Sequence, residues 1–125
     1  MVTALSGYRI SQDPKWVAPD EADTYQNPLK ENTKATEKGE KIYQKLCWTC
    51  HGKTGKGDGP AAAALTVAPS DYSEELVQSQ SDGALYWKIS NGRGEMVSYQ
   101  NLLTDDQRWM LVNYIRQLGP TNTVP

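Results

Sequence analysis

Phenylalanine is absent from this chain, and among 125 residues histidine occurs once and cysteine twice. Each scarcity closes off a class of protein. A structural zinc site needs four nitrogen or sulfur ligands, and three good ones at most are available. Iron–sulfur clusters held by four thiolates fail on the same count. No stretch reaches the roughly 18 apolar residues of a membrane span. The formal charge of −2 leaves no basic patch for phosphate, so nucleic acid is excluded as a partner. Hydrophobic residues make up 38% of the chain, a thin stock for the core of the one domain expected at this length.

The scarce residues stand together. Cys47-Trp48-Thr49-Cys50-His51 holds both cysteines and the only histidine, and Cys-x-x-Cys-His is the attachment signature of c-type haem. Two thiols add across the two vinyl groups of one porphyrin edge, so they must be spaced to reach both. The adjacent histidine then turns beneath the ring to place a nitrogen on iron. A thioredoxin-like Cys-x-x-Cys would want a βαβ pattern, whereas the flanks here are helical and Gly-rich. A structural disulfide over so short a loop would staple almost nothing. One covalently bound haem c, held by Cys47 and Cys50, is the expected cofactor. Its apolar surface would supply what the side chains lack, with four Trp and seven Tyr to pack around its edge.

Covalent haem attachment is normally completed outside the cytoplasm, yet Met1 to Gly7 lack the basic and apolar regions of an export signal. A mature or recombinant chain is therefore expected, located in the periplasm or on the outer face of the cytoplasmic membrane. On that reading, a lipid anchor or membrane tether of the full-length form would have been lost together with the signal.

Residues 1–35 lack periodicity and carry Pro14, Pro19 and Pro28 as breakers. Composition alone suits a tether, but Tyr8, Ile10, Trp16, Val17, Tyr25 and Leu29 favour an arm laid across the surface of a domain spanning 36–125. Thr36 is the expected N-cap of a helix over 37–46 that delivers Cys47, with Ile42, Tyr43 and Leu46 at helical spacing. Gly52 to Pro60 reads as a loop folded under a haem face. Its phosphate-cradle alternative lacks the preceding strand and the Ser/Thr of a P-loop. A short helical turn is expected near 61–65. Asp71 or Ser73 is expected to cap a helix over 74–80, and Ser81 one over 83–90 with Leu85, Trp87 and Ile89 inward. Gly92 to Met96 forms a second Gly-rich loop. Thr104-Asp105-Asp106-Gln107 is a capping box opening a helix that runs to about Leu118 and stops at Gly119-Pro120.

His51 can fill one axial position of the iron. Without a second histidine, a methionine thioether is the soft ligand expected for the other. Met1 is terminal and Met110 sits in an amphipathic helix, where core packing is the default. Met96, in the loop, is the preferred ligand, with an open or Lys-ligated iron as the alternative. The second nitrogen of a metal-bound histidine normally donates to an acceptor; a carbonyl of the Gly59-Pro60 loop is expected there. Tyr72, Trp87 and Arg93 can supply donors to the haem propionates, against core packing for Trp87 and a solvated loop charge for Arg93.

The order Gly39-x-x-x-Tyr43-x-x-x-Cys47-x-x-Cys50-His51, Gly59-Pro60, Gly94-Glu95-Met96 and Leu111-Val112-Asn113-Tyr114-Ile115 resembles class I cytochrome c over about residues 36–118. The resemblance implies an all-α shell around one haem, with Gly39 and Tyr43 crossing Leu111, Tyr114 and Ile115 at close range. Val97 follows Met96 where many relatives have proline. The amino-terminal extension, with the Gly-Asp-Gly-Pro-Ala-Ala run, resembles the extended monohaem domains beside alternative complex III and haem–copper oxygen reductases in bacteria. The function implied is a non-enzymatic one-electron carrier of a respiratory chain. Its expected partners are a quinol-oxidising complex as donor and a haem–copper oxidase as acceptor, and monomer is its expected state. An open-sided peroxidase-like or gas-sensing haem, or a domain excised from an oxidase subunit, are the competing readings.

Overall fold

The computed structural model describes residues 16–120, all of it helix, turn and loop, with a lone bridge between Arg93 and Met96. The longer helices are α1 (Thr33–Leu46), α4 (Asp82–Asn91) and α5 (Asp105–Gln117). Single turns form α2 (Trp48–His51) and α3 (Glu75–Gln78), and short 3-10 turns occupy Asp20–Thr24 and Ala62–Ala64. Among the described residues no helix is long and apolar enough to cross a membrane.

Local chemistry sets the ends. At α5 both halves of the capping box form: the Thr104 hydroxyl accepts from the Gln107 amide at 3.1 Å, and the Gln107 side chain accepts from the Thr104 amide at 2.9 Å. Ser81 caps α4 by accepting from the Ala84 amide at 3.0 Å. Helix α1 starts earlier than Thr36 implies. The Asn32 side-chain oxygen accepts from the Ala35 amide at 2.9 Å, which leaves Thr36 inside the first turn with its hydroxyl turned back to the Asn32 carbonyl. Helix α3 is shorter than the expected 74–80, and neither Asp71 nor Ser73 caps it. The Asp71 carboxylate instead accepts from the amide and hydroxyl of Ser73 at 2.9 and 2.5 Å.

Packing centres on α1 against α5. Gly39 lies so close to α5 that a Cβ there would overlap the Met110 carbonyl, while Tyr43 packs its ring 5.2 Å from Tyr114. Tyr43, Leu111 and Val112 are wholly buried, and Leu85, Ile89, Trp109 and Ile115 extend the same core. The segment before α1 lies on α4 and α5. Ala22 is buried against Gly83, where a Cβ would strike the Ala22 carbonyl. The Asn27 amide donates to Asp82 at 3.0 Å and to Asn113 at 2.8 Å, and Asn113 in turn donates to the Leu29 carbonyl at 2.8 Å. Tyr25 meets Tyr86 edge-on, whereas Val17 is exposed. Tyr8 and Ile10, expected anchors of the same arm, lie outside the described residues.

Gly39→Ala forces two helix backbones apart with no flexible side chain to yield. Chemical denaturation should show a loss of about 1–3 kcal/mol, the range for overpacking a tight contact.

Candidate cofactor site

Helix α1 delivers Cys47 as its C-cap, with the Cys47 amide still bonded to the Tyr43 carbonyl at 2.9 Å. The chain then closes at once into α2, whose four residues carry Cys50 and His51. Both thiols are free and half-buried. Gly52 leaves the turn at φ 87°, a conformation that favours glycine, and its carbonyl accepts from the buried Tyr43 hydroxyl at 2.5 Å.

The glycine loop folds back onto this turn. Amides of Gly57, Gly59 and Ala61 donate to the carbonyls of His51, Cys50 and Thr49 at 2.7, 3.0 and 2.8 Å. A Cβ on Gly59 would overlap the Thr49 and Trp48 carbonyls. The loop thus satisfies the orphan carbonyls of α2. It does not supply the acceptor for His51, contrary to the expectation placed on Gly59-Pro60. That acceptor is the Ser70 carbonyl, 3.1 Å from His51 Nδ1. The Gly59 amide is committed to Cys50 and the Gly59 carbonyl accepts from the Ala62 amide at 2.9 Å, so the next pass of the chain reaches the ring.

A carbonyl can only accept, which assigns the imidazole proton to Nδ1. Nε2 keeps its lone pair and accepts from the Tyr72 hydroxyl at 3.1 Å, with the two rings stacked 4.3 Å apart. Burial holds the His51 pKa below its usual value, partly offset by the Ser70 bond, so the ring is neutral at pH 7. Burial also raises the Tyr72 hydroxyl well above its usual value. The Cys47 thiol is pushed up to about 12, by burial first and by Cys50 second. A thiol held that firmly protonated is unsuited to disulfide exchange.

These groups face one cleft of about 1480 Å³, lined by Cys47, Cys50, His51, Met96, Leu85 and Ile115 among others. Ordinary small-molecule sites run to about 300–1,000 Å³, so this one has room for a large flat group. Tyr72 and Arg93 also line it. Pro60 and Trp87 do not; Trp87 borders a separate cavity of about 290 Å³ with Tyr25, Tyr86 and Gln100. Helix geometry separates them. Leu85, Lys88 and Ile89 share the cleft face of α4, whereas Trp87 is rotated off it. Met110 is half-buried on α5 and lies outside the cleft lining; Met1 is outside the described residues.

The Met96 turn is held at both ends. Upstream, Arg93 and Met96 exchange backbone hydrogen bonds at 3.0 and 2.9 Å after Gly92 turns the chain at φ 65°. Downstream, the amides of Tyr99 and Gln100 donate to the carbonyls of Ile89 and Ser90 at 3.1 and 3.0 Å, and the Ser98 hydroxyl donates to Ser90 at 2.7 Å. Arg108, 2% exposed, donates to the Gln100 carbonyl at 2.9 Å and also bonds Tyr86 and Asp105.

The family described as Cytochrome C oxidase, cbb3-type, subunit III matches residues 34–115. The chain belongs to this family. Among solved structures it is similar to a chain of the reducing HAO-like protein complex Kustc0457/Kustc0458 of Kuenenia stuttgartiensis, with 33% identity and a TM-score of 0.67 over 74% of this chain and 47% of that one. The c-type cytochrome KustC0563 is 26% identical with a TM-score of 0.56, over 66% of this chain and 98% of that one. Cytochrome cL from Hyphomicrobium denitrificans, at 24% identity and TM-score 0.57, covers 83% of this chain and 65% of its own. This chain therefore spans about half the length of the Kuenenia relative and nearly all of KustC0563. No curated protein matches it. The fold is that of class I cytochrome c, and the family implies haem.

The residues fit that group. Among the described residues no three His, Cys, Asp or Glu side chains converge to hold a metal by themselves. One neutral imidazole, two free thiols and one thioether on a single large, mostly apolar cleft suit a metal that arrives in its own macrocycle.

Gly59→Ala should displace the turn that carries both thiols and His51. We expect a lower yield of covalently pigmented protein by haem staining, together with a stability loss of about 1–3 kcal/mol.

Proposed function

We propose that this chain is a monohaem carrier. Cys47 and Cys50 would hold haem c covalently, and His51 and Met96 would ligate its iron. It passes single electrons from a quinol-oxidising complex to a haem–copper oxygen reductase, in the periplasm or at the outer face of the cytoplasmic membrane, as a monomer. The observation carrying this reading is that the chain's only histidine, both thiols and Met96 line one cleft, with the imidazole proton already committed to Ser70.

When bound, the haem supplies a one-electron couple; the protein fixes its ligands, its potential and its exposure. Ser70 orients the imidazole and leaves Nε2 free to bond a metal. Tyr72 must then release Nε2, and its hydroxyl becomes available to a propionate, as does the side chain of Arg93. A thioether from Met96 raises the reduction potential and leaves no open position for substrate, which supports a carrier rather than an enzyme. The family's description as a subunit of a cytochrome oxidase supports an oxygen reductase as acceptor. The amino-terminal extension supports a place beside alternative complex III. Complexes of this redox type have small, weak interfaces, so modest affinity and fast release are expected.

Met96→Ala tests the ligand set. The reduction potential should fall, the weak red-end absorption of sulfur bonded to iron should vanish, and carbon monoxide should bind rapidly to the reduced protein. Unchanged potential and spectrum would remove Met96 and bring Met110 forward. For the partners, the reduced protein should be reoxidised by a purified haem–copper oxidase under oxygen with a rate that falls or rises steeply with salt; no electron transfer to the oxidase would sink that half of the reading.

A further inference from the structure

The segment preceding α1 reaches the cleft. Trp16 is one of its lining residues, and it is delivered there by a firmly held stretch of chain. Ala22 is buried on α4, and the Ser81 hydroxyl donates to Asp23 at 2.5 Å. The Trp16 ring meets two cations of the same cleft. Lys88 Nζ lies 5.3 Å from its centroid and Arg93 Cζ lies 4.8 Å from it, both within cation–π range. Lys88 comes from α4 and also donates to Gln80 at 2.7 Å. Arg93 opens the turn that its own backbone closes onto Met96.

Two like charges on one partly desolvated wall repel each other, and an aromatic face between the elements offsets part of that cost. Burial and the neighbouring Arg93 both hold Lys88 below its usual pKa, which agrees with that crowding. The ring therefore joins three pieces of chain: the amino-terminal segment, the cleft face of α4 and the root of the Met96 turn.

Resting on the haem reading above, we propose that Trp16 is a positioning residue of the cofactor pocket. Its ring pins Lys88 and Arg93 at the cleft, steadies the Met96 turn through Arg93, and keeps water from that end of the pocket. The stretch from Trp16 to α1 is then part of the electron-transfer site. Both effects act in one direction: firmer thioether ligation and a drier pocket each favour the reduced state.

The test uses the pigmented protein with Trp16→Leu and Trp16→Phe, and Trp87→Phe as an aromatic control outside the cleft. Leucine keeps an apolar side chain without a π face; phenylalanine keeps the face. In Trp16→Leu we expect full covalent haem content, a lower reduction potential, a weaker sulfur–iron absorption and carbon monoxide association several-fold faster. Trp16→Phe should stay close to the unaltered protein, and Trp87→Phe should not move any of these readouts. Potential, absorption and carbon monoxide rate all unchanged in pigmented Trp16→Leu would overturn the assignment. So would an equal shift in Trp87→Phe, which would mark a general loosening of the fold. Absence of covalent pigment from the unaltered protein is a separate failure. It would overturn the haem reading itself and this inference with it.

Discussion

The backbone contact between Gly39 and the Met110 carbonyl is the constraint on which the rest of the structure depends. It lets α1 and α5 cross at a separation that any side chain would prevent, and it fixes where α1 ends. Cys47 is the C-cap of that helix, and α2 follows without an intervening residue. The position of both thiols and of His51 is therefore set by a helix crossing some distance from them. Tyr43 transmits the registration. It packs against Tyr114 of α5 and donates to the Gly52 carbonyl just beyond His51. A buried hydroxyl with one acceptor in reach has little freedom, since breaking that bond would leave a desolvated polar group unpaired.

Around the thiol-bearing turn the work is divided between two passes of chain. The glycine loop answers the carbonyls of α2, and the segment at Ser70 answers the imidazole. The division leaves the attachment turn itself without charge. His51 is held neutral, the Cys47 thiol stays protonated and the Tyr72 hydroxyl is buried. Cations enter only where Lys88 and Arg93 meet Trp16. A neutral imidazole beside a protonated Cys47 thiol suits electron transfer in which little but the electron moves.

Signals confined to a few consecutive residues were legible. The Cys-x-x-Cys-His run, the Thr104 capping box and the Ser81 cap each need only their neighbours, and the crossing of Gly39 with α5 came from resemblance. Competition between equally good local partners was not legible. Asn32 outranks Thr36 as a cap, and Ser73 takes the Asp71 carboxylate that could have capped α3. Backbone acceptors carry no residue code, so the Ser70 carbonyl had no signal to find. The spacing of two that groups Trp87 with Leu85 and Ile89 keeps residues on one face of a strand but not of a helix; Lys88 takes the cleft position instead. The meeting of Trp16 with Lys88 and Arg93 joins distant parts of the chain, and only the fold brings it about.

The valine after Met96 shows how a departure from a family pattern can be met by other means. Proline would stiffen this turn through its own fixed φ; Val97 does not, and it is half-exposed. The stiffness comes instead from outside the turn. Gly92 and the Arg93–Met96 pair close one end, while hydrogen bonds from Ser98, Tyr99 and Gln100 to the last turn of α4 close the other. Arg108 then ties the Gln100 carbonyl to α5 from a site almost without solvent. A buried guanidinium is expensive to keep unless its donors are used. Nη1 is spent on the carbonyls that root the Met96 loop and Nη2 on Tyr86 and Asp105, while Nε stays without a partner. The loop is thereby coupled to the same helix whose close approach to Gly39 positions the thiols. One helix, α5, thus governs both walls of the cleft, and a disturbance of its packing reaches the Met96 turn and the thiol-bearing turn together.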